Sequence, residues 1–313
     1  MEIHFGFILV YEFTNWTCAS TMKFAHLIAD GKPAIVLVDA DMRHYWPLAD
    51  LVPGFSGDMI QLVQDFGKFR SSLAPRGTGR PLAGARLLAP IDRPRRNIFC
   101  VGKNYFEHAA EFSKSGFDSS AKEGEHAPEA PVVFTKAYNT VIGPGAAIPS
   151  HEGVTSQLDY EAELAVVIGK PGRNIPRERA LEHVFGYTIV NDFTARDLQK
   201  LHRQWFLGKS LDGFCPMGPA LVTADELDAA NLDIRCWVNG ELRQNANTRQ
   251  LIFDIPTLIA TISAGITLEP GDVIATGTPA GVGIGFNPPR FVKRGDVIRI
   301  EVQGIGVLEN AVD

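Results

Sequence analysis

Apolar positions change their spacing along the chain, and each change predicts an element. Lys23 to Leu27 and Pro33 to Val38 alternate as strands do, with Asp30-Gly31 as the turn between them. Met59, Leu62, Val63 and Phe66 recur at helical spacing. From Arg70 to Asn97 the pattern lapses into Pro, Gly and Arg, including Arg76-Gly77-Thr78-Gly79-Arg80-Pro81, and reads as a surface linker. A strand opens at Asn97, and Phe106 to Phe112 returns to helical spacing. Ser113 to Ala130, with His126, is polar and predicts a lid. Strands follow at Pro131 to Lys136, Tyr187 to Asn191, Pro219 to Thr223 and Leu232 to Val238, the last meeting the hairpin signal Asn239-Gly240. Ala195 to His202 and Asp254 to about Ala264 read as helices, with Asp254 as N-cap and Pro256 in the first turn. Trp205 to Gly213 reads as a loop.

The stretch Leu158 to Gly169 organises the rest. Its Val/Ile-rich half predicts a strand, ended by Gly169-Lys170-Pro171-Gly172. Side chains at i and i+2 of a strand share a face, about 7 Å apart. Glu161 and Glu163 therefore aim two carboxylates at one spot, while Tyr160, Ala162 and Leu164 face the other way. Like charges that close repel, and a divalent cation relieves them. Oxygen ligands suit Mg²⁺, Mn²⁺ or Ca²⁺ rather than zinc. The competing reading is a solvated strand face. Asp192, just past the strand ending at Asn191, offers a third carboxylate and leaves metal positions open for substrate.

Three further groups carry chemistry. His108 and Glu111, three apart, share a helix face, and a carboxylate beside an imidazole can orient it as a base for water. Arg196 and Gln199 share another face, a two-pronged donor for a carboxylate beside a neutral amide. Lys209 stands alone among apolar residues, suited to developing negative charge. The glycine-rich loop Thr276 to Gly283 matches neither common phosphate-binding pattern, yet its amides and a threonine hydroxyl can approach a ligand closely.

Composition narrows the partners. The 313 residues allow one large domain, or one plus a small one. With 45% hydrophobic and 21% charged residues the chain reads as a soluble globular protein. A net charge of -6 argues against nucleic acid as the main partner. No apolar run reaches the roughly 18 residues that read as a membrane span. Cys18, Cys100, Cys215 and Cys236 are scattered, which reads as reduced thiols in a cytoplasmic enzyme. Residues 1–21 are apolar and aromatic, but Glu2 sits where a signal peptide carries positive charge; they read as a non-functional extension ahead of Met22.

Taken in order, the motifs resemble the fumarylacetoacetate hydrolase superfamily from Asn97 onward. They are Val101-Gly102-Lys103-Asn104-Tyr105 with His108, Asp159-Tyr160-Glu161-Ala162-Glu163-Leu164 and Asn191-Asp192-Phe193-Thr194-Ala195-Arg196-Asp197. Leu207-Gly208-Lys209-Ser210, Pro270-Gly271-Asp272 and the loop Thr276 to Gly283 complete the set. The resemblance implies an α+β, mainly β protein: a β-roll catalytic domain over 91–313 and a small N-terminal α/β domain with linker over 22–90. It implies a homodimer and a Mg²⁺ or Mn²⁺ ion (Ca²⁺ being possible) on Glu161, Glu163 and Asp192. His108, Glu111 and Lys209 would be catalytic, and Tyr105, Arg196, Gln199 and Thr278 would contact substrate.

One departure narrows the branch. The fumarylacetoacetases proper carry a further metal-binding aspartate before the histidine, and Gly102-Lys103-Asn104-Tyr105 offers none. The chain resembles instead the bacterial-type branch of acylpyruvate and fumarylpyruvate hydrolases, oxaloacetate decarboxylases and 2-hydroxymuconate-type isomerases. The first expectation is hydrolysis of a C–C bond in a 2,4-dioxo acid, releasing pyruvate enolate. The second is decarboxylation or tautomerisation of a 2-oxo diacid on the same metal. The third is a metal-stabilised binding protein without catalysis.

Overall fold

The computed structural model describes residues 22–75, 77–116 and 128–313. The expected extension at 1–21, Arg76 of the linker, and residues 117–127 of the expected lid with His126 lie outside them. The architecture is mainly β with short helices. One large sheet runs Arg80–Pro81, His44–Pro47, Lys32–Val38, Lys23–Ala29, Cys215–Thr223, Val184–Asn191, Ala162–Ile168, Val273–Ala275, Ile98–Gly102 and Val132–Lys136. A second, four-stranded sheet runs Glu241–Asn247, Asp233–Val238, Val297–Val302 and Gly306–Ala311.

The first hairpin forms where alternation and turn chemistry place it. Asp30 and Gly31 both take positive φ, as a two-residue hairpin turn requires, and Lys23–Ala29 pairs with Lys32–Val38. This hairpin does not close on itself. Lys23 and Phe24 pair with Val222 and Leu221, so the N-terminal strands extend the sheet that carries the acidic residues. The stretch expected to be a surface linker is pinned at two points. Arg80 pairs with Tyr45, and Leu88 with His26, because hairpin edges leave backbone groups that need partners.

The strand Ala162–Ile168 is buried on both faces, which explains its near-continuous Val/Ile run. On one face Leu164, Val166 and Ile168 pack with Ile234 and Ile300 of the second sheet and Leu258 and Ile262 of the helix Ile255–Ser263. On the other, Ala165 and Val167 pack with Met59, Leu62 and Val63 of the helix Met59–Phe69, whose N-cap Asp58 accepts from the Gln61 amide. Each such aliphatic side chain contributes about 1.5–3 kcal/mol by leaving water. Glu163 continues the Ala165–Val167 face to the end of the strand. A strand fixed on both sides thus holds a carboxylate at its open end.

Trp205 to Gly213 is not wholly a loop. Phe206–Lys209 forms one helical turn, closed by the Lys209 amide donating to the Trp205 carbonyl at 3.1 Å. Trp205 is buried against Phe112 and Phe134, and buried backbone must find internal partners. Among the described residues no helix is long and apolar enough to cross a membrane.

Candidate active site

Glu161, Glu163 and Asp192 come together. One oxygen from each lies within 4.8 Å of the others, and all three residues are buried. The extended run is broken at Tyr160 and Glu161, between Leu158–Asp159 and Ala162–Ile168. Asn191 mends the break by accepting from the Glu161 amide at 3.0 Å, and the Asp192 amide donates to the Glu161 carbonyl at 2.9 Å. These local bonds set the two carboxylates side by side.

Buried cations answer part of this charge. Lys209 Nζ donates to Glu161 Oε2 and Asp192 Oδ2, each at 2.7 Å. Lys136 Nζ donates to Asp192 Oδ1 at 2.6 Å and to the Phe193 carbonyl at 2.9 Å. Arg196 lies 2.6 Å from Glu161 Oε1, donates from Nε to Asp159 Oδ2 at 2.8 Å, and from Nη1 to Gln199 Oε1 at 3.0 Å. Burial would raise the Glu161 carboxyl, but Lys209 and Arg196 outweigh it and hold it down at about 2. Burial would likewise lower Lys209, and Asp192 and Glu161 instead hold it above its ordinary value.

Glu163 stands apart. It makes no ion pair among the described residues; its Oε2 accepts from the Gly277 amide at 2.7 Å. Burial, with Asp192 and Glu161 beside it, pushes its carboxyl well above the usual carboxylate range. A buried carboxylate flanked by two others, whose charge Lys209 and the Gly277 amide answer only in part, fits a divalent cation, and an all-oxygen donor set fits a hard one.

The glycine-rich loop turns its amides toward carboxylates of the chain itself. Gly277 serves Glu163, Gly281 donates to Glu111 Oε1 at 3.1 Å, and Gly283 donates to Asp159 Oδ1 at 2.6 Å. Across the cleft, the helix Phe106–Lys114 carries His108, whose Nδ1 lies 3.2 Å from Glu111 Oε2. Asn104 anchors the entry to that helix. It is fully buried, with Nδ2 donating to the Phe253 and Thr276 carbonyls and Oδ1 accepting from the Phe253 amide.

One narrow cleft gathers most of the expected residues: His108, Glu161, Glu163, Arg196, Gln199, Lys209 and Thr278. Phe112, Phe134 and Trp205 form its apolar wall. Thr278 Oγ1 accepts from Gln244 at 2.8 Å, which leaves its own hydrogen for another acceptor. Asp192 lies in the carboxylate cluster, and Glu111 behind His108. Tyr105 is buried at the N-cap of the helix and is not among the lining residues; burial, with Glu163 near it, raises its phenol.

Sequence reading gave no role to Lys136, nor to Asp159 and Asn104 within their motifs. Each left a faint trace: a lysine closing an apolar strand, an aspartate opening the acidic motif, and an asparagine between a strand and a helix.

A mainly β chain that gathers a buried carboxylate cluster, an imidazole–carboxylate pair and buried cations has the donor groups of a metal-binding site with acid–base groups beside it. The chain belongs to the fumarylacetoacetate hydrolase family: residues 97–313 match the model described as "Fumarylacetoacetate (FAA) hydrolase C-terminal". It is 54% identical over 232 residues to oxaloacetate tautomerase YisK of Bacillus subtilis, covering 74% of each chain. The structure of a fumarylacetoacetate hydrolase from Exiguobacterium antarcticum is similar at 43% identity and a TM-score of 0.79, over 94% of this chain and 99% of that one. Maleylpyruvate hydrolase from Sphingobium sp. SYK-6, solved with manganese(II) and pyruvate, is similar at 34% identity and a TM-score of 0.74, over 93% and 98%.

Proposed function

We propose that this chain interconverts the keto and enol forms of oxaloacetate or a closely related 2-oxo diacid. The observation that carries the reading is His108, backed by Glu111, on the same cleft as Glu161 and Glu163, with Asp192 clustered beside them. The 54% identity to a protein named oxaloacetate tautomerase favours this reaction over hydrolysis.

Tautomerisation needs one proton moved and no water consumed. A base takes a proton from C3, the C–H electron pair becomes the C2–C3 double bond, and the C2 oxygen receives a proton. Glu111 accepts from His108 Nδ1–H, so the lone pair resides on Nε2, the nitrogen suited to take the C3 proton. Arg196 and Gln199 hold the substrate carboxylates, and the Thr278 hydroxyl and Lys209 ammonium stand as donors to the C2 oxygen. A hard divalent ion, Mg²⁺ or Mn²⁺, held by Glu161, Glu163 and Asp192, would supply Lewis acidity to the oxo acid's oxygens. Phe112, Phe134 and Trp205 give the transfer an apolar wall.

Stopped-flow ultraviolet absorbance, started from the enol of oxaloacetate with Mn²⁺ present, tests the reading. Wild type accelerates ketonisation over buffer, and His108→Ala loses about 10²-fold or more of that acceleration. A His108→Ala enzyme as fast as wild type would exclude this base.

Hydrolysis of a 2,4-dioxo acid is the second reading. It is favoured by the same pair, which can orient a water, and by the structural likeness to maleylpyruvate hydrolase.

A further inference from the structure

The geometry points to Gly285 and Tyr160 as positioning residues for the His108–Glu111 pair, an inference that rests on the reading of His108 as the base. Neither lines the cleft. Glu111 is held from two sides: by His108 Nδ1 at 3.2 Å, and by the Gly281 amide at 3.1 Å from Oε1 and 3.3 Å from Oε2. Gly281 is itself pinned. Its carbonyl accepts from the Tyr160 hydroxyl at 2.8 Å, and its φ of +101° is one that favours glycine. A Cβ there would overlap the Arg243 carbonyl. Tyr160 therefore ties the strand region bearing Glu161 and Glu163, through one glycine, to the carboxylate that orients the base.

Gly285 acts by what it lacks. A Cβ at this position would overlap the Glu111 carboxyl itself. Its φ is not positive, so alanine strains no backbone there. The carboxyl is the end of a flexible side chain and is the part that must move. Gly285→Ala thus displaces Glu111 from the Gly281 amide and from His108, and the three nearest atoms that its Cβ meets all belong to Glu111. Without Glu111 on Nδ1, the imidazole has no bond fixing its tautomer, and a fraction of the rings carry the proton on Nε2, where they are not bases.

The test compares Gly285→Ala, Tyr160→Phe and Glu111→Gln in the full chain. Gly285→Ala lowers oxaloacetate tautomerisation kcat by about 10²-fold, matching Glu111→Gln, and Tyr160→Phe lowers it by about 10-fold; KM and Mn²⁺ affinity stay as in wild type. Adding Gly285→Ala or Tyr160→Phe to Glu111→Gln produces no further loss, because both act through Glu111. Imidazole ¹⁵N spectra report His108 as a single Nδ1–H tautomer in wild type and as a mixture in Gly285→Ala. Losses that multiply in the double variants, or wild-type turnover in Gly285→Ala, would overturn the inference. The ¹⁵N readout needs no substrate, so it decides the matter even if wild type proves inactive on oxaloacetate. An unchanged tautomer in Gly285→Ala then overturns the positioning role, while the inactivity counts only against the substrate.

Discussion

The acidic cluster has two unlike sides. On the lysine side, Asp192 meets Lys136 and Lys209, and Glu161 meets Lys209 and Arg196. On the loop side, Glu163 meets one backbone amide. The lysine side is charge-compensated by the chain itself and can fold as it stands. The loop side is not, since a peptide dipole cannot balance a full buried charge. The fold therefore completes two-thirds of a site and leaves the remaining third to a cation. All three carboxylates offer an oxygen to the ion, but the charge left for it to neutralise lies mainly on the loop side.

Two substitutions separate the sides. Lys136→Met strips Asp192 Oδ1 of its ammonium, and breaking a buried ion pair costs about 3–5 kcal/mol. Urea unfolding should register that loss, and a variant as stable as wild type would show the pair to be ornamental. Glu163→Gln acts the opposite way. Removing the uncompensated carboxylate raises the metal-free melting temperature while Mn²⁺ affinity falls about 100-fold or more by calorimetry. A fall in both would mean that Glu163 is already balanced within the chain.

Asp254→Ala supplies the reference for a partly exposed carboxylate. Asp254 caps the helix Ile255–Ser263, accepting from the Thr257 amide at 2.9 Å, and losing such a cap costs about 1 kcal/mol. Burial raises its carboxyl, but hydrogen bonds from Thr257 and Arg177 outweigh that and hold it below the usual range. A depressed carboxyl stabilises above its unfolded pKa and ceases to as pH falls through its folded value. The difference between wild type and Asp254→Ala in urea midpoint should therefore shrink in acid, with Mn²⁺ affinity untouched. A loss rivalling Lys136→Met would undo the distinction between buried and exposed charge.

The same two sides mark what the sequence discloses. Glu161 and Glu163 are legible because a strand's period of two fixes their relation, and His108 and Glu111 because a helix fixes theirs. Asp192 follows from a strand end and a family motif. The partners of these residues come from far along the chain. Lys136 reaches Asp192 across 56 residues, and Gly281 reaches Glu111 across 170. No local period encodes such meetings; the sheet order does. The glycine loop is the sharpest case, since its working groups are amides, which every non-proline residue possesses. Tyr105 shows the reverse: a motif position, yet buried at a helix start and not part of the cleft wall. The Val/Ile run of Ala162–Ile168 marks a strand, but neither its burial on both faces nor the layers that cover it can be read from that run.

The most direct test gives wild type, with Mn²⁺ and then with EDTA, two substrates in parallel: the enol of oxaloacetate and an acylpyruvate. Ketonisation is followed by ultraviolet absorbance and C–C cleavage by coupled pyruvate release. The account predicts that ketonisation runs well above the buffer rate, disappears with EDTA, and drops about 10²-fold in Glu111→Gln, while pyruvate release from the acylpyruvate is slow. Brisk metal-dependent pyruvate release, beside ketonisation no faster than buffer, would contradict it and assign the His108–Glu111 pair to water.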